Sequence, residues 1–414
     1  MKFPKSKIYL KTILFKIWKF PQLSETFIVN QIVTAIKLGY EVKILVGEAG
    51  DPVSNSNNEL FSKYNLSDKI LIEDYDVPKN KMNRYFKGIL LFLKNISNLI
   101  LLIKYYNLHN QKGLLPLFEF NFYNNFRKIH AIHIQFGTNK HPVDLLKRIG
   151  FLKGKVIVSF HGHDLHFPIN GHIQSMGYYD NLFETSEHLI CNTLFLKLKI
   201  KSLGASSKKI IVLPVPVDTL MFKPDTLKSI KRTMRLITVG RIDELKGQIH
   251  GIRIVKKLID EGYNVEYLIV GRGKYSEILR KEIDLLDLSD HVKLLGAQTP
   301  QEVLLWYQSS DIFLMTSITN ELGMAESQGI VTAEAQACGL PVVAFDSGGI
   351  KYTLQEKVTG FLCPEKNLEC YTEKLKILMD NPKLRNEMGE NARKFIEAEY
   401  SEISVLSKWK ELYG

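Results

Sequence analysis

The sequence predicts an α/β protein of two Rossmann-like halves, each a parallel sheet covered by helices. Three observations predict it. Short apolar runs alternate with longer stretches of helical periodicity, the pattern of parallel strands joined by crossover helices. The alternation breaks over residues 217–233, a charged stretch with little periodicity, and then starts again. The 414 residues also exceed what one ordinary hydrophobic core serves.

In the first half, strands are expected at 12–17, 41–46, 131–135, 155–160, 188–191 and 210–213. A helix is expected over 25–38, with Ser24 placed to cap it. In the second half, strands at 235–239, 264–270, 291–295, 312–315 and 341–345 alternate with helices at 248–261, 276–286, 301–309 and 332–338. Gly339 closes the last of these, and two more helices follow at 368–379 and 382–397. The implied division is a first domain over 1–217, a second over 218–395, and a final helix over 396–414 that returns to the first domain. Doubly wound domains bind ligands beyond the carboxyl ends of their strands.

The net charge of +11 is unevenly spread. Residues 1–217 hold 29 Lys and Arg against 15 Asp and Glu, whereas 218–414 are slightly acidic. A Lys-rich composition alone would load both halves alike, so a basic surface meeting an anionic partner is expected on the first half. The most apolar stretch, 89–103 (ILLFLKNISNLILLI), is too short and too polar to span a bilayer. Two readings of it stay open: a helix packed in the first domain, or one lying on a membrane surface. Lys11 and Lys16 interrupt the apolar residues near the start, so no export signal is expected. Cys191, Cys338, Cys363 and Cys370 lie in no C-x2-C pair, which argues against a zinc site and for a reducing compartment. A cytoplasmic protein is expected, with peripheral binding at the inner face of the plasma membrane left open.

Two motifs carry chemistry. Gly240-Arg-Ile-Asp-Glu-Leu-Lys246 leaves a strand and opens a helix, where aligned N–H groups favour an anion. Arg241 can grip phosphate oxygens as a fork and Lys246 as a point charge. The second motif runs from Glu326 through Gly329, Ile330 and Val331 to Glu334. Gly329 and Ile330 are expected to start a helix with N–H groups facing a phosphate or sugar oxygen. Glu334, among small residues, is placed to accept hydrogen bonds from a ribose diol, and Glu326 to reach sugar hydroxyls. Gly271 belongs to a Gly-rich strand exit near the nucleotide. His161, His163, Asp164 and His166 have a spacing compatible with a metal, but no metal is expected there. Ser24, Glu25 and Thr26 stand where an acceptor could enter, or do no more than cap the next helix.

With these residues in order, the chain resembles family 4 of the retaining glycosyltransferases, which have the GT-B fold of two Rossmann-like domains facing across a central cleft. The Glu-x7-Glu element matches at Glu326 and Glu334, and R-x4-K at Arg241 and Lys246. Phe20-Pro-Gln-Leu-Ser-Glu-Thr-Phe27, Gln135-Phe-Gly-Thr138, Ser159-Phe-His-Gly-His-Asp164 and Gly360-Phe-Leu362 extend the likeness over nearly the whole chain. The start at Phe20–Phe27 looks like that of bacterial members that build exopolysaccharide, capsule or colanic-acid-type glycans. The resemblance implies transfer of a hexose-type sugar from a nucleotide-diphosphate sugar to a glycan or lipid-linked acceptor. Arg241 and Lys246 would hold the diphosphate and stabilise the leaving group without a metal. Glu334 would bind ribose, Glu326 would orient the sugar, and His161 would approach the reacting centre. No cofactor is implied, and no nucleic acid. The resemblance also implies front-face attack, with the leaving phosphate helping to deprotonate the acceptor.

Two departures stand out. Gly348-Gly349-Ile350-Lys351 lacks the family's Pro-Glu after its glycines, and Pro216 stands where the family often has Gly. Two other functions use the same frame. A nucleotide-sugar 2-epimerase would need acid–base carboxylates at the sugar. A non-catalytic nucleotide-sugar-binding subunit would show erosion of the four charged residues, all of which are present. A dehydrogenase would want G-x-G-x-x-G after the first strand, and residues 21–27 hold no glycine.

Overall fold

The computed structural model describes residues 11–22, 25–50, 58–109, 112–166, 177–225 and 233–414. The chain folds as two compact units. One comprises Met1–Cys191, Lys197–Ile211 and Trp409–Gly414, and the other comprises Asn192–Leu196 and Val212–Lys408. The division falls near 211 rather than after 217, because the Pro214–Val217 segment pairs within the second unit. Val217 N–H donates to the Tyr400 carbonyl, and Val215 is held by Gln328.

The first unit begins with β1 (Thr12–Phe20), α1 (Thr26–Lys37), β2 (Glu41–Ala49), α2 (Asn58–Lys63) and β3 (Ile70–Ile72). Next come α3 (Lys81–Lys94), α4 (Leu99–Leu108), α5 (Leu115–Tyr123), β4 (Ala131–Gln135) and α6 (Val143–Arg148). After β5 (Lys155–Phe160) come α7 (Asp180–Thr185), β6 (His188–Cys191), α8 (Leu194–Ser202) and β7 (Ile210–Val212). The sheet order is β3-β2-β1-β4-β5-β6-β7, with β1 parallel to both β2 and β4. β3 was not anticipated: three residues are too short for a period to show. Helix α1 starts at Thr26 with Glu25 at its N-cap and no side-chain cap bond. Ser24, the expected cap, lies outside the described residues.

The apolar stretch around 89–103 is two helices, not one. α3 and α4 meet at a 67° bend. The bend sits at Asn95, whose backbone N–H and buried side chain both donate to the Leu91 carbonyl at the end of α3. Gly88, Leu91, Leu102 and Tyr105 face inward, while the opposite face is open to solvent.

The second unit contains β8 (Met234–Val239), α9 (Gln248–Asp260), β9 (Val265–Val270), α10 (Ser276–Leu285) and β10 (Val292–Gly296). It continues through α11 (Pro300–Gln308), β11 (Ile312–Met315), α12 (Ile330–Ala337), β12 (Val342–Phe345) and β13 (Gly360–Cys363). Helices α13 (Leu368–Asp380), α14 (Pro382–Glu399) and α15 (Glu402–Tyr413) finish the chain. The final helix therefore starts at Glu402, not at 396, and only its last residues group with the first unit. The six strands are all parallel, ordered β10-β9-β8-β11-β12-β13.

The apolar runs that read as strands owe their continuity to burial on both faces. Leu236, Ile269, Leu314 and Val343 enter one core cluster. Their neighbours Ile237, Leu268, Phe313 and Val342 enter the other, as the two-residue strand period requires. Local signals set several helix starts: Thr299 and Glu302 form a reciprocal capping box at α11, and Asn381 caps α14 ahead of Pro382. The four cysteines are free thiols, although Cys363 and Cys370 bring their sulfurs within 2.7 Å.

Candidate active site

In each sheet the strand order reverses beside the first strand of the unit, between β1 and β4 and between β8 and β11. Crevices at such reversals open beyond the carboxyl ends of the strands. The charged motifs sit there.

In the second unit, β8 runs out at Val239 and the chain turns through Gly240. A Cβ on Gly271 would lie 1.9 Å from the Gly240 carbonyl oxygen, and one on Gly273 2.0 Å from that of Ile242. The turns after β8 and β9 therefore pack backbone to backbone, a closeness only glycine permits. Gly271 is thus a structural spacer for the Arg241 turn. Asp243 caps the single helical turn at 244–246, accepting from the Lys246 N–H. Gly247, at φ +60°, then enters α9; a Cβ there would meet the Thr316 carbonyl oxygen at 2.1 Å. That turn aims Lys246 at Glu326, and the two side chains form an ion pair. Arg241 is 75% exposed and 3.7 Å from Asp243, the loosest charge in the group.

Glu326 lies in the loop between β11 and α12. Burial works toward protonating it, but the Lys246 charge and hydrogen bond, the Gly329 N–H and the Arg241 charge outweigh that. Its carboxyl is held below the usual range. The Gly329 N–H lies beside the Glu326 carboxylate and favours its charged form. The helix starts at Ile330 behind Gly329 (φ +78°), so the N–H groups of Ile330 and Val331 have no intrahelical acceptor.

Four contacts fix the Glu326 loop. Gly349 N–H donates to the Glu326 carbonyl at 2.7 Å, and Thr193 Oγ1 donates to that of Ser327 at 2.8 Å. The Gln328 amide exchanges two hydrogen bonds with the Val215 backbone, at 2.9 and 3.0 Å. A Cβ on Gly349 would lie 2.0 Å from the Ser327 carbonyl oxygen, and one on Gly348 2.4 Å from that of Glu326. The paired glycines therefore seat this loop. Gln328 was not singled out in the sequence, although a glutamine between the two acids that is buried in the fold is a signal in retrospect.

Glu334 lies on α12 one turn beyond Ile330, where its carboxylate accepts from Tyr307 Oη at 3.2 Å. Burial raises its pKa to about 7, against the Tyr307 hydrogen bond.

In the first unit, β4 and β5 end side by side, with Gln135 in register with Ser159. Asp164 ties their exits together by accepting from Gly137 N–H at 2.7 Å and from His161 and Gly162 N–H at 3.1 Å. Burial lifts its pKa to about 6 despite these bonds. Asp164 is spent on backbone groups, which is its place in the His-Gly-His-Asp run. His161 Nε2 faces Gln135 Oε1 at 2.9 Å, while the Gln135 amide nitrogen is given to Gln31. Gln135 thereby selects the Nε2–H tautomer. Nδ1 is buried with no partner among the described residues, and burial drives the His161 pKa down to about 3. Phe27 and Phe136 flank the ring at centroid distances of 4.6 and 4.8 Å. The result is a neutral imidazole offering a bare acceptor nitrogen.

Of the three acceptor-side positions, Ser24 and the side chain of Thr26 lie outside the described residues. Glu25 accepts from Gln22 at 3.1 Å through Oε1, and Oε2 is buried without a partner among the described residues. Burial raises its pKa to about 7. Another trio, His109, Glu119 and His141, brings its donor atoms within 4.8 Å. Glu119 there accepts from Tyr105 at 2.6 Å and meets both imidazoles, which satisfies the buried carboxylate as a polar network.

Two Rossmann-like parallel-sheet units, with a cationic turn beside an acid-bearing helix start, define a glycosyltransferase of the GT-B fold. The family profile for glycosyl transferases group 1 matches residues 223–395. The amylovoran biosynthesis glycosyltransferase AmsK of Erwinia amylovora is 30% identical over 354 residues, covering 84% of this chain and 85% of AmsK. The putative colanic acid biosynthesis glycosyltransferase WcaL of Escherichia coli K12 is 28% identical over 369 residues, covering 87% and 89%. Among solved structures, Anabaena Alr3699/HepE in complex with UDP shares the fold with a TM-score of 0.69 at 15% identity, over 97% and 99% of the two chains. The chain belongs to the group 1 glycosyltransferases. These comparisons favour neither the epimerase nor the non-catalytic reading.

Proposed function

We propose that this glycosyltransferase moves a hexose-type sugar from a nucleoside-diphosphate sugar to a glycan or lipid-linked acceptor in bacterial exopolysaccharide synthesis, with retention at the anomeric carbon and without a metal. The observation that carries the reading is the Lys246–Glu326 pair, with Arg241 exposed beside it. Lys246 and Arg241 supply two positive charges to the donor diphosphate and to the charge that grows on it as the glycosidic C–O bond breaks. Ile330 and Val331 offer free N–H groups at the same helix start. Glu326, kept ionised by Lys246, accepts hydrogen bonds from the sugar hydroxyls. Glu334 accepts from the ribose diol. His161, neutral and with its buried Nδ1 unpartnered among the described residues, accepts a hydroxyl hydrogen bond from a sugar. It is not the acid, because its one ring proton sits on Nε2 and is given to Gln135, while burial keeps Nδ1 unprotonated. The acceptor proton passes to the departing phosphate, and Glu25 serves the acceptor side. The named relatives, AmsK and WcaL, support the exopolysaccharide assignment. The basic first half supports peripheral work at the anionic inner face of the membrane.

The test is a panel of nucleotide sugars with polyprenyl-diphosphate-linked acceptors, read by mass spectrometry and by the anomeric coupling of the product. Retained configuration and undiminished rate in EDTA are expected. Inversion, loss of activity in EDTA, or isomerised donor without transfer would each overturn the corresponding part.

A further inference from the structure

The sequence between Asp76 and Glu119 holds seven Lys and Arg and no Asp or Glu. It folds as the bent pair α3–α4, whose outer face is apolar. Met82, Phe86, Ile89 and Leu93 recur every three to four residues along α3, and all are exposed. Ile96 and Ile100 continue the face past the bend, Ile100 at 73% exposure. An unpaired apolar face of this extent is uncommon on a protein that meets only water. Between the two helices runs an apolar groove of about 410 Å³, lined by Tyr85, Phe92, Leu102, Ile103 and Leu114 among others. Its volume is in the range of small-ligand sites.

Two contacts hold the bend. Arg127 donates to Asn98 Oδ1 at 2.8 Å beyond the bend, and Asn95 fixes the bend itself. Cations border the face. Lys79, Lys81, Lys94 and Lys104 are exposed and form no ion pair among the described residues. By contrast Lys87 is paired with Asp76, and Arg84 is bonded to backbone carbonyls.

We infer that α3–α4 is an interfacial anchor: it lies in the surface of an anionic lipid leaflet with its apolar face among the acyl chains, and the groove takes one lipid chain. The charge complementarity selects the occupant. A water-soluble protein partner would match the apolar face, but it would not call for seven cations without a single acid. A crossing is disfavoured by geometry, since neither helix spans a bilayer and they diverge by 67°. The inference rests on the peripheral-membrane part of the proposed function and assigns that part to one element.

The test uses the full chain and two sets of vesicles, phosphatidylcholine alone and phosphatidylcholine with 30% phosphatidylglycerol. Wild type floats with the anionic set and at least ~10-fold less with the neutral set. Ile89→Asp with Leu93→Asp, and separately Lys81→Glu with Lys94→Glu and Lys104→Glu, each lower flotation ~10-fold or more. Nucleotide-sugar binding by thermal shift stays unchanged in both, which shows that the variants fold. Phe86→Trp fluorescence is quenched by brominated acyl chains beyond the wild-type background. If wild type floats and both variant sets float equally well, the anchor lies elsewhere and the inference fails while the peripheral reading stands. If wild type floats with neither vesicle, both fail, and donor binding remains intact. If wild type is a dimer in vesicle-free solution that Ile89→Asp/Leu93→Asp makes monomeric, the face belongs to a second copy and the inference is overturned.

Discussion

Donor affinity is expected to rise with pH through neutrality because of one carboxyl group. Burial holds Glu334 near pKa 7 in the unliganded protein. A ribose diol donates hydrogen bonds, and the ionised carboxylate is their acceptor, so the binding-competent form is the deprotonated one. For a pKa near 7 that form is about 9% of the protein at pH 6 and about 91% at pH 8. Apparent affinity scales with that fraction, so the Kd for the nucleotide sugar should fall ~10-fold from pH 6 to pH 8. This corresponds to about 1.4 kcal/mol. The perturbation is Glu334→Gln, which keeps the shape and the Tyr307 contact but does not titrate. Isothermal titration with an intact nucleotide sugar is the assay. Free nucleoside diphosphate is unsuitable because its terminal phosphate titrates in the same window. Wild type should show the slope and release protons on binding at pH 6–7, and the variant should bind more weakly with a flat profile. A flat wild-type profile, or an equal slope in the variant, would refute the ribose assignment to Glu334.

Other outcomes follow from the same site. Lys246→Ala strands Glu326, so it should cost about 1–3 kcal/mol in urea denaturation. It should also lower kcat/KM ~10²–10³-fold, whereas Lys246→Ala with Glu326→Gln should recover stability without activity. Gly349→Ala places a Cβ against the Ser327 carbonyl and should cost about 1–3 kcal/mol while displacing Glu326, read as a lower Tm with a larger loss in kcat than in donor Kd. Buried His133 has its pKa driven down to about 3 by burial, with neighbouring His161 adding to it. The unfolded chain takes up that proton first, so stability is complete above pH 6.5 and falls as pH drops. His133 should account for about 2 kcal/mol of loss by pH 5, read as the difference between the pH slopes of the urea midpoints of wild type and His133→Asn, since His161 carries a similar shift. His161 stays neutral over the same range, so pH–rate profiles between 5 and 8 should show no limb that His161→Asn removes.

Much of the fold was legible because both sheets bury both faces, and a run such as Leu236-Ile237 must then be apolar throughout. What escaped was short or set by packing. β3 is three residues long, and the bend at Asn95 falls inside an apolar run whose composition does not mark it. The first charged turn was legible because anion chemistry restricts residue types: Arg241 and Lys246 sit after a strand with a glycine, as expected. Glu326 and Glu334 were legible as a pair, yet their opposite pKa shifts were not. Lys246 presses one carboxyl down and burial pushes the other up, and both causes come from residues far apart in sequence. The glycines at 348–349 showed in the sequence only as a pair without the family's Pro-Glu. Their carbonyl neighbours, which make them supports, become visible only in three dimensions.

The loop carrying Glu326 is pinned through main-chain groups of Glu326, Ser327 and Val215 rather than through side chains that a sugar would meet. Attempts to retune donor choice therefore have uneven room to work. Residues 321–324, where Leu322 stands in solvent and Asn320 organises the turn, can be varied as a library without disturbing the carboxylate. Positions 328–329 and 348–349 cannot: the Gln328 amide holds Val215, Gly329 adopts a positive φ, and a Cβ on Gly348 or Gly349 would meet a carbonyl of the loop. An evolving or engineered lineage would be expected to record its donor changes in the first stretch and to keep the second as inherited hardware.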